Sequence, residues 1–332
     1  MKRLSFLLTL CLLLSLLAGC GQADVPAQTT ASPETTAATE PAPSGPSQAA
    51  IDALDGKKIL FIGNSLTFYG YAVIYDKEET PQHARANNQG LFYHLCKQNG
   101  MEVNVTNWTF PGHDFTDMTG SDCTKPDSVC LGVNHWNDLV DRSFDYVAIQ
   151  CYYETEYTGD MATHLEPVLN QFREANPNVK FLFLVPHMLY TKNMHWIDSW
   201  EHIAAEDMII CNWGRMITDI MEKKVTVPGA TQQHVGCTYI VGKTKEDGFH
   251  ENMLVGYLTS LMVYCAITGE SAVGQPYEFC DDSSLNPKFD IDAYKAAQYV
   301  YDPITNFDVV MRSEADMLGL QQLIDDYLAK YN

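Results

Sequence analysis

The stretch Lys58-Ile-Leu-Phe-Ile-Gly-Asn-Ser65 carries the main information about the fold of this chain. Its four consecutive apolar residues are typical of a strand that is buried on both faces of a parallel sheet. Gly63 permits a tight turn after the strand, and a serine beyond such a turn can project from the strand end as a nucleophile. We therefore expect an α/β sheet with a reactive serine at the end of its first strand.

Further short apolar runs alternate with helical patterns along the chain. The sequence predicts strands at 102–108, 145–150, 179–185 and 225–227, and helices at 89–99, 161–174, 198–222 and 251–267. Strands that alternate with helices need crossover connections, which produce a mostly parallel sheet with helices on both faces. The predicted fold is a three-layer α/β/α sandwich around a mostly parallel five-stranded sheet, formed by one domain over residues 51–332.

The N-terminus indicates export and lipid attachment. Lys2 and Arg3 precede an apolar run over residues 4–17, which leads into Leu-Ala-Gly-Cys20. The run is too short to remain as a membrane-spanning helix, and small residues before Cys20 suit cleavage and acylation of the thiol. The segment thus resembles a lipoprotein signal peptide over residues 1–19, although an ordinary secretory signal with a chance cysteine is an alternative. Lipidated Cys20 would hold the protein on the outer face of a bacterial membrane.

Residues 21–48 are mainly Ala, Thr, Pro, Ser, Gln and Glu, with almost no large apolar side chains. Such a segment buries too little surface to offset the entropy of an ordered chain. We expect residues 20–50 to contain the lipidated cysteine and a flexible stalk.

The charge and the cysteines limit the classes of function. A formal net charge of −21, from 21 basic and 42 acidic residues, repels phosphate backbones, so we expect no nucleic-acid partner. Of ten cysteines, eight remain after Cys11 and Cys20, and Cys123 with Cys130 is the most plausible local disulfide in an exported protein. Alternatively, most of the eight are buried thiols. Their spacing is not typical of a metal site, and we predict no metal.

Polar residues recur where the predicted strands end, and the carboxyl ends of parallel strands meet at one rim. Ser65 follows the first strand, Gly112 follows the second, and Gln150 ends the third. Asp247-Gly-Phe-His250 precedes the long helix after the last strand. Each block also has an ordinary explanation: a turn, a Pro-Gly turn, a capping amide, and a chance pairing of Asp with His.

Together and in this order, the four blocks resemble the SGNH/GDSL family of serine hydrolases, over residues 57–269. The resemblance implies a flavodoxin-like fold, Ser65 as nucleophile, His250 as general base and Asp247 as its orienting partner. It also implies an oxyanion hole formed by the backbone N–H groups of Ser65 and Gly112. No cofactor is implied.

This chain departs from the family pattern at two places. Asn64 stands where the family has an Asp that is outside the triad. The family's Gly-x-Asn-Asp block is missing, and Gln150 is the nearest amide that could replace its asparagine as an oxyanion donor. His187, after the fourth strand, is a rival base, but no carboxylate accompanies it at a useful spacing, so we expect a substrate-facing or structural role.

The sequence thus predicts a lipid-anchored serine esterase that removes small acyl groups from a small molecule or glycan. Carbohydrate is favoured by the exported location, the acidic composition and a set of aromatic residues in the rim loops, which are Tyr69, Tyr71, Trp108, Phe110, Tyr152, Tyr153 and Trp196. Lipase or thioesterase activity is an alternative. The competing class of function is a non-catalytic surface lipoprotein that binds a glycan or solute on the same fold.

Overall fold

The computed structural model describes residues 45–68, 70, 72–73, 85–86, 88, 90–110, 113, 115–119, 136, 139–150, 161–187, 204, 207–231, 234, 239–241, 250–281 and 313–332. Only the backbone is described at 85–86, 117, 161–163, 240–241, 250 and 281. The predicted signal peptide, Cys20, most of the stalk and the pair Cys123 and Cys130 lie outside these ranges. Residues 44–332 cluster as one compact unit.

The described strands are β1 (Lys58–Gly63), β2 (Arg85–Ala86), β3 (Asn104–Thr109), β4 (Tyr146–Gln150), β5 (Lys180–Leu184), β6 (Met208–Cys211), β7 (Ile240–Val241) and β8 (His250–Glu251). The described helices are α1 (Gln48–Leu54), α2 (Ser65–Phe68), α3 (Gly90–Gln98), α4 (Phe115–Thr119), α5 (Met161–Ala175), α6 (Trp213–Met221), α7 (Met253–Thr268) and α8 (Glu314–Tyr331). A 3-10 turn spans Glu278–Asp281.

The main sheet has the strand order β2-β3-β1-β4-β5-β6. The five strands from β3 to β6 are parallel, and the two-residue β2 pairs antiparallel at the edge beside β3. Strands β7 and β8 form a separate antiparallel ladder. The predicted parallel five-stranded sheet is therefore confirmed, with one short antiparallel edge strand added.

Side chains alternate between two apolar layers because successive residues of a strand point to opposite faces. On β1, Ile59 and Phe61 pack with helices α1, α3, α6, α7 and α8, whereas Leu60 and Ile62 pack with α4 and α5. All four side chains are at most 1% exposed. Both faces of the sheet are thus covered by helices, and the three-layer α/β/α prediction is confirmed.

The fifth parallel strand differs from the predicted one. Residues 198–222 were expected to form one helix, but Met208–Cys211 is strand β6, and helix α6 begins only at Trp213. Asn212 separates the two elements by accepting a hydrogen bond from the Arg215 N–H as the N-cap of α6. The strand predicted at 225–227 is wrong, since these residues follow the C-terminal end of α6 without pairing in the sheet.

Helix α7 is the central helix of one layer. All of its sixteen residues except Ala266 and Thr268 are buried, and it contacts α1, α3 and α8. No helix in the described part of the chain is both long and apolar enough to span a membrane. Helix α1 begins at Gln48 after the N-cap Ser47, three residues before the predicted start of the domain.

Candidate active site

The end of β1 lies at the point in the sheet where the strand order reverses. Strand β1 is flanked by β3 on one side and by β4 on the other, which is the flavodoxin-like order, and ligands of such sheets bind beyond the strand ends at this switch point. Ser65 begins the short helix α2 directly after β1, and Gln150 is the last residue of β4. Two of the predicted site residues are therefore brought together at the switch point.

Gln150 holds the turn that carries Ser65. Its Oε1 accepts from the Asn64 N–H at 3.3 Å and from the hydroxyl of Thr67, and its Nε2 donates to Asn64 Oδ1 at 3.1 Å. Asn64 Oδ1 also accepts from the Leu66 N–H, and its Nδ2 donates to the backbone carbonyl of His113. Since Asn64 and Gln150 are both buried, these bonds fix the backbone on either side of the partly exposed Ser65.

Gly63 lets this turn close. A Cβ at this position would lie 2.0 Å from Thr67 Oγ1 and 3.0 Å from Gln150 Oε1. Even a methyl group would therefore displace the hydroxyl and the amide that hold the turn. The glycine is needed here for space between β1 and α2.

A second glycine contact joins the Ser65 segment to the start of α7. A Cβ on Gly256 would lie 1.8 Å from the Gly70 carbonyl oxygen, and one on Gly70 would lie 2.4 Å from the Asn252 carbonyl oxygen. Gly70 also has a φ of +73°, which favours glycine. Backbone thus packs directly on backbone between the segment after Ser65 and the first turn of α7.

Strand β8, which contains His250, immediately precedes that turn. Cα atoms of β8 lie within 8 Å of Cα atoms of α2. The structure therefore brings the backbone of the predicted base to the segment of the predicted nucleophile, although the two are far apart in sequence. The side chain of His250, and Asp247 and Gly112 entirely, lie outside the described residues, so their roles stay predictions.

The structure places a carboxyl group beside His187 that sequence spacing did not suggest. Glu251 Oε1 lies 3.4 Å from His187 Nε2, and the two side chains are 1% and 0% exposed. No carboxylate accompanies His187 at a useful spacing in the sequence, but Glu251 reaches it from a distant part of the chain.

Burial determines the ionisation of Glu251. Loss of solvent raises the pKa of its carboxyl group well above the usual range, because a charged carboxylate is poorly stabilised in the interior. Burial thus favours the protonated form of the Glu251 carboxyl group, which carries an O–H donor. The ring of His187 also packs edge-on against Trp213, with 5.7 Å between centroids.

Two of the aromatic residues proposed for the rim belong to the core instead. Trp108 and Phe110 are at most 1% exposed and contact each other at 5.1 Å between centroids. The Trp108 indole N–H donates to the Met118 carbonyl. These two side chains therefore do not form a sugar-stacking surface, and the remaining five aromatic residues lie outside the described part of the chain.

The cysteines in the described ranges are buried and form no disulfide, which agrees with the buried-thiol alternative: these are Cys96, Cys211, Cys265 and Cys280. Burial raises the thiol pKa of Cys96, Cys211 and Cys265. Within the same ranges, no group of three or more His, Cys, Asp or Glu side chains is arranged to hold a metal ion.

Comparisons with known proteins give weak likenesses. No family model and no curated protein matches this chain significantly. Among solved structures, a DUF4886 family protein from Bacteroides uniformis ATCC 8492 is 15% identical, with a TM-score of 0.41 over 83% of this chain and 95% of that one. A family two carbohydrate esterase from Clostridium thermocellum in complex with cellohexaose is 14% identical, with a TM-score of 0.35 over 64% of each chain. Likenesses of this size carry no conclusion about activity.

Proposed function

We propose that this protein is a serine esterase in which Ser65 is the nucleophile, His250 the general base and Asp247 the residue that orients the base. The supporting observation is the contact between two distant segments. The Ser65 turn, held by Gln150 at the switch point of the sheet, packs through Gly70 on the start of α7. That start directly follows β8, which carries His250.

The chemistry proceeds through an acyl-enzyme. His250 takes the proton from Ser65 Oγ as the oxygen attacks the ester carbonyl, and the tetrahedral intermediate collapses with release of the alcohol, which receives that proton. Water then attacks the acyl group by the same route and restores Ser65. The rigid turn keeps the serine oriented for attack, which is a large part of the advantage of an enzyme over solution chemistry.

The negative oxygen of the intermediate is met by the N–H groups of Ser65 and Gly112 and by the amide of Gln150 in this proposal. The Asn64 N–H and the Thr67 hydroxyl both donate to one atom of the Gln150 amide, which must therefore be its oxygen, Oε1. The other atom of the amide is then the nitrogen, Nε2. Nε2 donates once, to Asn64 Oδ1, among the contacts of the described residues. Its second N–H is the donor that we propose for the oxyanion.

The charge and the N-terminal sequence support a proposal for the substrate class and the location of the protein. The acidic charge favours a neutral or cationic substrate, and the N-terminal pattern ending at Cys20 favours a lipid-anchored enzyme outside the cytoplasm. We propose small acyl esters of carbohydrate as the substrate class, with release of a short carboxylic acid.

A fluorophosphonate probe tests the catalytic proposal, because only an activated serine reacts with it quickly. Wild-type protein should be labelled within minutes, and Ser65→Ala should not be labelled. Ser271→Ala is the matched control, since Ser271 is an exposed serine that bonds to Asp325 away from the rim. Absence of labelling in folded wild-type protein would reject the esterase and favour a non-catalytic binding protein.

A further inference from the structure

We propose that the buried pair of Glu251 and His187 positions the general base, by holding β8 against the end of β5. The inference rests on the esterase function proposed above. It assigns a positioning role to two residues outside the predicted triad.

Within the described residues, the strand pairing of β8 itself is short. Its ladder with β7 is two residues long, with Ile240 opposite Glu251 and Val241 opposite His250. A ladder of this length is too small to fix a segment of chain by itself. The Glu251 side chain adds a second contact, to His187, which lies three residues beyond the end of β5 in the main sheet.

His187 is itself held firmly, so it can act as an anchor. Its ring packs against Trp213, the first residue of α6. The backbone beside it touches the next residue of the same helix, since a Cβ on Gly214 would lie 2.2 Å from the Pro186 carbonyl oxygen. The Gly214 N–H also donates to the Val185 carbonyl. The end of β5 and the start of α6 thus form one rigid support.

A neutral hydrogen bond suits this buried place better than an ion pair. Two charges without solvent would cost several kcal/mol each in desolvation. Burial raises the pKa of the Glu251 carboxyl group and so favours its protonated form. In the proposed arrangement this carboxylic acid donates to the imidazole nitrogen 3.4 Å away, and neither group carries a charge.

The position of Glu251 explains how its contact with His187 affects the proposed active site. His250 and Glu251 are adjacent in β8. A contact that fixes the Glu251 side chain therefore also restrains the backbone of its neighbour His250. A displacement of about 1 Å in a catalytic group can cost about 10²-fold in rate.

Three variants separate positioning from plain stability. Glu251→Leu removes the proposed hydrogen bond to His187, and kcat should fall by about 10- to 100-fold with KM almost unchanged. Glu251→Gln keeps a donor for the imidazole and should restore most of kcat. His187→Phe keeps an aromatic ring against Trp213 but cannot accept the proposed bond, so its kcat should fall as far as that of Glu251→Leu. It serves as an independent test if Glu251→Leu does not fold.

Tyr327→Phe is the control for stability. It removes a buried hydrogen bond to Asp219 between α8 and α6, so it should lower Tm while kcat stays at the wild-type value. Wild-type kcat in Glu251→Leu or His187→Phe would overturn the positioning role. A loss in Glu251→Gln as large as in Glu251→Leu would overturn it as well, because the carboxyl proton itself would then be required.

Hydrogen exchange keeps this inference separate from the esterase proposal. The amides of residues 250–252 should exchange faster in Glu251→Leu and His187→Phe than in wild-type protein, and at the wild-type rate in Tyr327→Phe. If wild-type protein fails to react with the fluorophosphonate, the esterase proposal fails, and exchange still decides whether the pair holds β8. Unchanged exchange in Glu251→Leu and His187→Phe would overturn the proposal that this pair holds β8.

Discussion

Replacement of Gln150 is the most informative perturbation of the candidate site, because its amide has two separable roles. It braces the turn through Asn64 and Thr67, and it is the proposed third donor to the oxyanion. Gln150→Ala removes three hydrogen bonds among buried groups. At about 0.5–1.5 kcal/mol each, the expected loss of unfolding free energy is about 1.5–4.5 kcal/mol. A domain of ordinary stability, about 5–15 kcal/mol, still folds after this loss.

The effect of Gln150→Ala on catalysis should be larger than its effect on binding. Loss of one oxyanion donor typically lowers kcat by about 10²–10³-fold, because such a donor acts mainly in the transition state. We therefore expect a fall in kcat of that order and little change in KM. Steady-state kinetics with a small ester, together with a denaturant titration to confirm folding, would measure both quantities.

Gln150→Glu separates bracing from oxyanion stabilisation. The new side chain keeps an oxygen that accepts from the Asn64 N–H and the Thr67 hydroxyl, but it has no second N–H for the oxyanion. When ionised, it also repels the developing negative charge. Its kcat should fall at least as far as that of Gln150→Ala, with a smaller loss of stability. Wild-type kcat in folded Gln150→Ala would refute any role in catalysis, and wild-type kcat in Gln150→Glu alone would leave only the brace.

Four further outcomes are expected. Ser65→Ala and His250→Ala should each lower kcat by about 10⁴–10⁶-fold, and Asp247→Asn by less; a normal rate in His250→Ala would reassign the base. Cys20→Ser should abolish incorporation of a fatty-acid analogue, and equal label in both proteins would exclude the anchor. The unfolding free energy of wild-type protein, relative to that of Glu251→Gln, should decline as pH rises above about 4.3. The raised pKa of Glu251 in the folded protein contributes its full stability only at a pH where the unfolded carboxyl group is also protonated. A difference that does not depend on pH would contradict this. The buried thiols should not react with a thiol reagent until the protein unfolds, and a fast reaction of any of them in native protein would contradict their burial. These thiols belong to Cys96, Cys211, Cys265 and Cys280.

The sequence was most informative where local chemistry determines structure. The run over Lys58–Gly63 forms β1 with the predicted bounds, because a continuous apolar segment followed by glycine has few alternatives in an α/β fold. It was least informative at residues 198–222. Strand β6 contains only four residues, and periodicity cannot distinguish so short an apolar run from one turn of a buried helix. Asn212, which caps α6, was the local sign of the boundary between them.

The parts of the site that escaped prediction depend on contacts between distant segments. Nothing in the sequence near His187 indicates a carboxyl group, because Glu251 follows it in the chain only after β6 and α6. The contact of Gly70 with Gly256 is equally invisible, since each glycine alone resembles an ordinary turn or helix residue. Yet these two contacts bear directly on how the segments of the proposed nucleophile and the proposed base are held relative to each other. The residues of a triad can be recognised from their order along the chain, whereas the contacts that set their distance follow from packing, and so a change at Glu251 or Gly256 should affect activity without altering any predicted catalytic group.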